Sequence, residues 1–374
     1  MPQPLTDTAS AVLADVRAQY AQLRGRTQFS LQDLFCPDHF RLDAWCLRFH
    51  SHPQSGALAE VAKSFGSQYG LWLENARHHV TCALFLYPGA DPLRMLDMMK
   101  NLLIDFYLND VMGRDVFPLL PEPKQREAER IVSRIGKYDP DLPVPENALP
   151  VEFANILVLR DFRDNAPDAW FRRFLRLYTQ HVTITHRDNS AVARGVIPTV
   201  EEYIEQRCHY AGMHHIVMWV EYATGDFLDW SWLTDAGMEE DLRQLHLAVA
   251  AFGALSNDLF SFEKEVIVQG SDANLMMAVV LNGKACTLQN VIRQSAAIVR
   301  NLLEDYFRLT ESCKRRMLVY TPLFPQQTAL VLRHLAGLER CMQACWAWQV
   351  HTKRYKSPGS IWLETTLPVP EKIR

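Results

Sequence analysis

The chain carries no excess of one charge, no paired-cysteine motif, no long apolar run and almost no period-two alternation. Each absence removes a class of function. Lys and Arg number 39 against 43 Asp and Glu, for a formal net charge of -4, and no long single-sign run occurs. The electrostatic footprint of a nucleic-acid or anionic-membrane binder is therefore missing. The cysteines, at positions 36, 46, 82, 208, 286, 313, 341 and 345, form no C-x-x-C pair, so neither a disulfide framework nor a structural zinc site is expected. Cys341 and Cys345 stand four apart on an expected helix, where small core residues are the simpler reading. The opening MPQPLTDTAS lacks the apolar segment of a secretory leader, which together with the scattered thiols predicts a reduced, cytoplasmic protein. The runs MMAVVL and LHLAVAAFGAL fall short of the roughly 20 residues that span a bilayer, so no membrane insertion is expected.

What is present is helical periodicity. SGALAEVAKSFGSQYGLWLENAR, DPLRMLDMMKNLLIDFYLNDVMG, DAWFRRFLRLYTQHVTITHRDNSAVARG and the stretch from about 238 to 265 all space apolar residues by three and four. Breaks fall at Pro and Gly clusters such as YPGADP, FPLLPEPK and KYDPDLPVPENALP. The pattern predicts an all-α fold. Residues 138–150 form the best linker candidate, yet both flanks have the same helical character, and a single domain over 1–374 is expected. Residues 1–30 read as an amphipathic preface and 356–374 as a tail.

One helix interrupts its own apolar stripe. In NDLFSFEKE, residues 257–265, Asn257, Ser261 and Glu265 recur at fourth positions and share one helix face. An amide oxygen, a hydroxyl and a carboxylate are hard ligands that suit Mg2+; the plainer reading is a polar face ending in an ordinary Glu. The whole string reads N-D-x-x-S-x-x-K-E, and it resembles the second metal motif of class I terpene synthases of the bacterial type. The resemblance implies Asn257, Ser261 and Glu265 as ligands of one Mg2+ and Lys264 as a diphosphate contact.

Two further stretches resemble that family. PTVEEYIEQRCHYAG is similar to its P-x-x-E-E-Y-x-x-x-R pattern and implies Arg207 as diphosphate sensor, a role for which a planar guanidinium is suited. Beyond it the family breaks the helix and aims a carbonyl at the cation, which implies Ala211, with Tyr210 before it and Gly212 permitting the break. WAWQVHTKRYKSP resembles the terminal R-Y signature and implies Arg354 and Tyr355 as diphosphate donors.

The aspartate-rich motif departs from the family. After YPGADPLRMLDMMKNLLIDFYLND, Asn109 and Asp110 stand where two aspartates are expected. Asp105, four before Asn109, and Asp115 are lesser candidates; five residues beyond Asp110, Asp115 is turned by about 140° unless the helix has ended.

The resemblance implies an all-helical antiparallel bundle with a central cavity, three Mg2+ ions, a prenyl diphosphate substrate and pyrophosphate release. The substrate leans to C20 geranylgeranyl over C15 farnesyl diphosphate, and a homodimer is left open. Phe85, Phe106, Trp219, Phe252, Phe260 and Trp346 are candidate lining aromatics, about half of them expected to be packing alone. The alternatives are a trans-prenyltransferase, which would carry two aspartate-rich motifs, and a non-catalytic helical scaffold with a degenerate site.

Overall fold

The computed structural model describes residues 5–36, 39–46, 50–113, 116–187, 189–283 and 287–367. Arg114, Asp115 and Cys286 lie outside the described residues. In chain order the helices are α1 (Leu5–Leu23), α2 (Leu31–Phe35), α3 (Leu42–Trp45), α4 (Ser55–Gln68), α5 (Ala76–Leu86), α6 (Pro92–Met112), α7 (Glu122–Ile135), α8 (Pro150–Asp164), α9 (Asp168–Thr185), α10 (Ala191–Arg194), α11 (Val200–Tyr210), α12 (Met213–Thr224), α13 (Trp230–Asp235), α14 (Glu239–Phe262), α15 (Leu275–Asn282), α16 (Leu288–Tyr320) and α17 (Pro325–His351). The strands among the described residues are two-residue pieces, Ser357–Pro358 and Thr366–Leu367, paired in parallel. The fold is an all-α bundle.

Local chemistry sets the helix ends that matter for the site. Asp91 accepts hydrogen bonds from the Leu93 and Arg94 amides while Pro92 opens the first turn of α6, satisfying donors that the helix itself cannot. Thr199 and Glu202 form a reciprocal capping box that starts α11.

At the centre, α14 packs against α16, α17, α12 and α11. Its inner residues are nearly all buried, including Leu255, Leu259 and Phe252 at 0% exposure. Truncating one of these, as in Leu255→Ala, should cost about 2–5 kcal/mol through lost burial and the cavity left behind. Through Val268 this stretch is long and apolar enough to cross a membrane, but 89% of its apolar window is buried inside the bundle; its hydrophobicity serves the core.

The proline-rich stretch 138–150 is stapled to the bundle. Arg160 donates to the Leu142 carbonyl at 2.8 Å and Arg163 to that of Pro140 at 3.4 Å, and α6 before it packs on α8 after it. It is a surface connection between neighbouring helices.

The ends depart from the sequence reading. Beyond residue 356 the chain does not hang as a tail as far as Leu367: Ile361 and Trp362 are fully buried. Glu364 accepts from the amides of Leu31 and Gln32, each at 3.0 Å, at the start of α2. The preface helix docks as well, with Tyr20 donating to Glu263 at 2.9 Å and Arg17 to the Ile267 carbonyl at 3.0 Å. Both ends thus brace the segment that follows α14.

Candidate active site

A cavity of about 200 Å³ opens between α5, α6, α9, α11, α12, α14 and α17. Most of its wall is apolar, from Leu86, Leu102, Met213 and Ile216, with Phe106, Tyr210, Trp348 and Tyr355 supplying rings. Polar side chains enter from three motifs of the sequence: Asn257 and Glu265, Arg207, and Arg354 with Tyr355.

These motifs are joined directly. Arg207 is 5% exposed and donates through Nε to Asp258 Oδ1 at 2.7 Å and through Nη2 to Asn257 Oδ1 at 3.2 Å. Asn257 in turn donates through Nδ2 to the Tyr355 hydroxyl at 2.7 Å. Asp258, fully buried, also accepts from the Tyr203 hydroxyl at 2.6 Å and the Leu275 amide at 2.9 Å. Burial works against a charge on Arg207, but Asp258, Tyr203 and Glu265 outweigh it and hold the guanidinium more firmly protonated than usual. Asp258 is thus the anchor of Arg207. Sequence reading gave it no role, although it occupies a fixed position of the N-D-x-x-S string and Tyr203 one of the E-E-Y pattern.

Past Phe262 the helix does not continue as α. Residues Glu263–Val268 form a π turn, a wider register that recurs at functional sites, and Glu265 lines the cavity from within it. Ser261 lies just before this turn at 0% exposure and outside the lining, its hydroxyl 3.5 Å from the Asp258 carbonyl. Lys264 is half-buried and also outside the lining; its charge reaches His79.

The α6 side is arranged differently. Asn109 and Asp105 line the cavity, whereas Asp110 does not. Asn109 Nδ2 donates to Asp110 Oδ1 at 3.1 Å, and Asp110 Oδ2 lies 3.9 Å from His79 Nδ1. The His79 ring stacks on Phe106 with centroids 4.0 Å apart, and its Nε2 is 3.3 Å from Arg354 Nη1. Burial lowers His79 to about 4, Asp110 pulling the other way and Arg354 adding to the drop. A neutral imidazole therefore links the acidic motif to the terminal Arg. No sequence signal marked His79, because the contact exists only in the folded bundle.

Asp105 has a histidine for its neighbour. Its Oδ2 lies 3.4 Å from His215 Nε2, and burial raises it to about 6, with His181 acting in the opposite sense.

Between α11 and α12 the helix breaks where expected. Gly212 sits at φ 69°, and a Cβ there would meet His215 at 2.8 Å and His181 at 3.3 Å, so both backbone and space demand glycine. The carbonyl of His209 faces His181 Nδ1 at 2.9 Å and that of Tyr210 accepts from Thr185 at 3.2 Å. Ala211 follows them and lines the cavity.

The aromatic expectation needs correction. Of the six candidates only Phe106 lines this cavity. Trp219, Phe252 and Phe260 are packed into the core, and Phe85 and Trp346 face a separate cavity beyond Trp348. Trp348, two residues from Trp346, was missed; that offset turns a side chain by about 200° on a helix.

Comparison with known proteins identifies the family and the fold. The family described as terpene synthase family 2, C-terminal metal binding, matches residues 102–305, more than half of the chain. Terpene synthase 1 of Acytostelium subglobosum is 24% identical over 90% of this chain and 97% of its own length. Sesquiterpene cyclase hepA of Aspergillus oryzae is 21% identical over 45% of this chain, spanning 43% of that relative. Among solved structures, germacradien-4-ol synthase from Streptomyces citricolor aligns with TM-score 0.65 at 19% identity, covering 81% of this chain and 96% of that one. Linalool/nerolidol synthase from Streptomyces clavuligerus, solved with 2-fluorogeranyl diphosphate, aligns with TM-score 0.64 at 16% identity, covering 82% and 97%. The chain belongs to the terpene synthase family.

Proposed function

We propose that this chain is a class I terpene cyclase that ionises a linear prenyl diphosphate and cyclises the resulting carbocation. One observation carries the reading: Asn257 bridges Arg207 and Tyr355 at the edge of a largely apolar cavity with aromatic rings in its wall. Cationic and hydroxyl donors gathered there suit a diphosphate, and the pocket behind them suits a hydrocarbon chain.

The donor set fits Mg2+. Asn257, Ser261 and Glu265 offer oxygen only, and no group of three or more His, Cys, Asp or Glu side chains able to hold a metal occurs among the described residues. That matches a cation held by one carboxylate and completed by substrate phosphate oxygens. Asn257, Ser261 and Glu265 would hold one ion, and Asp110 with Asn109 would serve the rest of a set of three. When bound, the metal supplies Lewis-acid neutralisation of charge on the leaving diphosphate.

The protein's own groups do the remainder. Arg207 and Arg354 take up phosphate oxygens, Tyr355 donates its hydroxyl, and Lys264 adds positive charge, so the electron pair of the breaking C–O bond is stabilised on the diphosphate. Phe106, Trp348 and Tyr210 face the cation and can stabilise it without trapping it. Ala211 presents backbone at the helix break.

Farnesyl diphosphate is the favoured substrate. A volume of about 200 Å³ falls below the roughly 300–1,000 Å³ of common ligand pockets and argues for C15 over the C20 chain suggested by the sequence. The name of the Aspergillus relative, a sesquiterpene cyclase, points the same way.

The test is direct. Purified protein with Mg2+ and geranyl, farnesyl or geranylgeranyl diphosphate should release pyrophosphate and yield cyclic terpenes from the farnesyl substrate, and a chelator should stop both. Longer linear diphosphates would instead identify a prenyltransferase. Absence of turnover by folded protein with any of them would leave a helical scaffold.

A further inference from the structure

A cavity that guides a carbocation is expected to avoid basic lone pairs, since any of them can end the reaction early. One wall of this cavity does the opposite. Asp105, His181, Thr185 and His186 all line it. His186, at the end of α9, is 2% exposed, and among the described residues neither of its ring nitrogens has a partner. Asp105 Oδ1 is buried without a full hydrogen bond, the Tyr178 hydroxyl being its neighbour. His181 lies 6.2 Å from His186 ring to ring; its Nδ1 faces the His209 carbonyl at 2.9 Å and so carries the proton, leaving the Nε2 lone pair.

Among the described residues His215, packed behind this wall, is also buried without a hydrogen bond to either ring nitrogen, but a buried histidine pair away from the cavity is satisfied. His246 and His334 satisfy each other, Nε2 to Nε2 at 2.7 Å. An unpaired buried polar group costs about 1–3 kcal/mol, and such groups are characteristically completed by a buried water making about three hydrogen bonds. This wall offers acceptors in the Asp105 carboxylate and in one ring nitrogen of each neutral histidine. A water bound to them donates its hydrogens to the wall and turns a lone pair toward the cavity.

We propose that Asp105, His181 and His186 hold a water at the cavity wall and deliver it to the cyclised carbocation, so that the product is a terpene alcohol. The inference rests on the reading of this cavity as a cyclisation chamber. In the step, a lone pair of the water oxygen forms a C–O bond to the cationic carbon. One O–H bond then breaks, its electron pair stays on oxygen, and the proton passes to a ring nitrogen of His186. Burial keeps the rings neutral for this role, lowering His181 to about 4 and His186 to about 3.

The experiment uses the full chain with Mg2+ and farnesyl diphosphate in water labelled with heavy oxygen, with pyrophosphate release measured alongside mass spectrometry of the extracts. The wild type should give a cyclic alcohol carrying the solvent label. In His186→Phe the ratio of alcohol to hydrocarbon should fall about tenfold or more, within the range for loss of a general base, and His186→Gln, which keeps an acceptor, should recover part of it. Wild-type product that is hydrocarbon alone, or unlabelled alcohol, overturns the proposal, as does an unchanged ratio in His186→Phe. If His186→Phe fails to fold, His186→Leu takes its place, and the wild-type labelling result decides independently. Pyrophosphate released with only hydrocarbons refutes water delivery while leaving the cyclase reading intact; no pyrophosphate refutes the cyclase reading itself.

Discussion

Helices α14 and α6 both bring polar side chains to the same cavity, but among the described residues those of α14 are the more closely hydrogen-bonded from behind. On α14, Asn257 is fixed between Arg207 and Tyr355, and the neighbouring Asp258 takes hydrogen bonds from Tyr203, Arg207 and the Leu275 amide. On α6, Asn109 directs its amide to the adjacent Asp110, whose side chain is 25% exposed and has His79 as its further polar neighbour at 3.9 Å. Outer partners orient metal ligands and are worth about 10–100-fold in affinity or activity. If these residues hold the metal, the α14 face is set before substrate arrives and the α6 face is completed by what binds.

The largest effect should come from the α14 carboxylate. Glu265→Gln keeps the shape but removes the one formal negative charge of the ligand ladder. Pyrophosphate release should fall by about a thousandfold while the melting temperature moves by no more than about 2 °C. A large thermal loss with activity retained would return Glu265 to a structural role and erase the contrast between the helices.

Next is the brace itself. Asp258→Ala strands a buried guanidinium, and losing one partner of a buried pair costs about 3–5 kcal/mol. Denaturant unfolding should register that loss, whereas Asn109→Ala on α6 should stay within about 0.5 kcal/mol, as a half-exposed substitution does. Equal losses would mean that the two faces are braced alike.

Acid should also separate the two sides, because the histidines gather around α6. His79 stands beside Asp110, His215 beside Asp105, and His181 and His186 behind them. All four have folded values below the ordinary 6.5. Between that value and about 4 the unfolded chain binds protons that the folded chain refuses, so their stability contribution is complete above pH 6.5 and is lost on acidification. From pH 7 to 5 each buried His gives up about 2 kcal/mol. Asp105, raised to about 6, acts in the other direction and offsets part of the loss. The melting temperature should fall through this window, and His215→Phe should flatten the fall; a pH-independent melting temperature would contradict the buried neutral rings.

The sequence was most legible where a short string fixes both residue type and spacing. Asn257, Glu265, Arg207, Arg354 and Tyr355 come together as the motifs imply, and the break at Gly212 follows from a residue type with a backbone meaning. Ser261 was placed on the right helix, but the π turn beginning at Glu263 lies outside what an i, i+4 count can express. The aromatic lining was poorly legible, since facing the cavity depends on the rotation of each helix: Trp348 reaches this cavity and Trp346, two residues before it, does not. His79 belongs to no motif and acquires its place only when α5 packs on α6. The buried segment around Ile361 and Trp362 was hidden because its partners, α2 and Glu263, are far away in the chain.

The mildest change is the one that makes α6 more like α14. Asn109→Asp replaces an amide oxygen with a carboxylate at a position that already lines the cavity, so it should strengthen the hold on a hard cation. It also removes the hydrogen bond that Asn109 donates to Asp110 and sets two like charges side by side, which without metal raises the pKa of one of them. The two effects oppose each other in the metal-free protein, but a divalent ion turns the repulsion into a shared attraction. The half-saturating Mg2+ concentration for pyrophosphate release should therefore drop by about three- to tenfold, with little change in rate at saturating metal. The drop should shrink as the pH is lowered toward the carboxylate range, because the added charge is then neutralised by a proton. An unchanged Mg2+ requirement would mean that Asn109 faces the hydrocarbon, and that the asymmetry between the two helices extends to which of them holds metal at all.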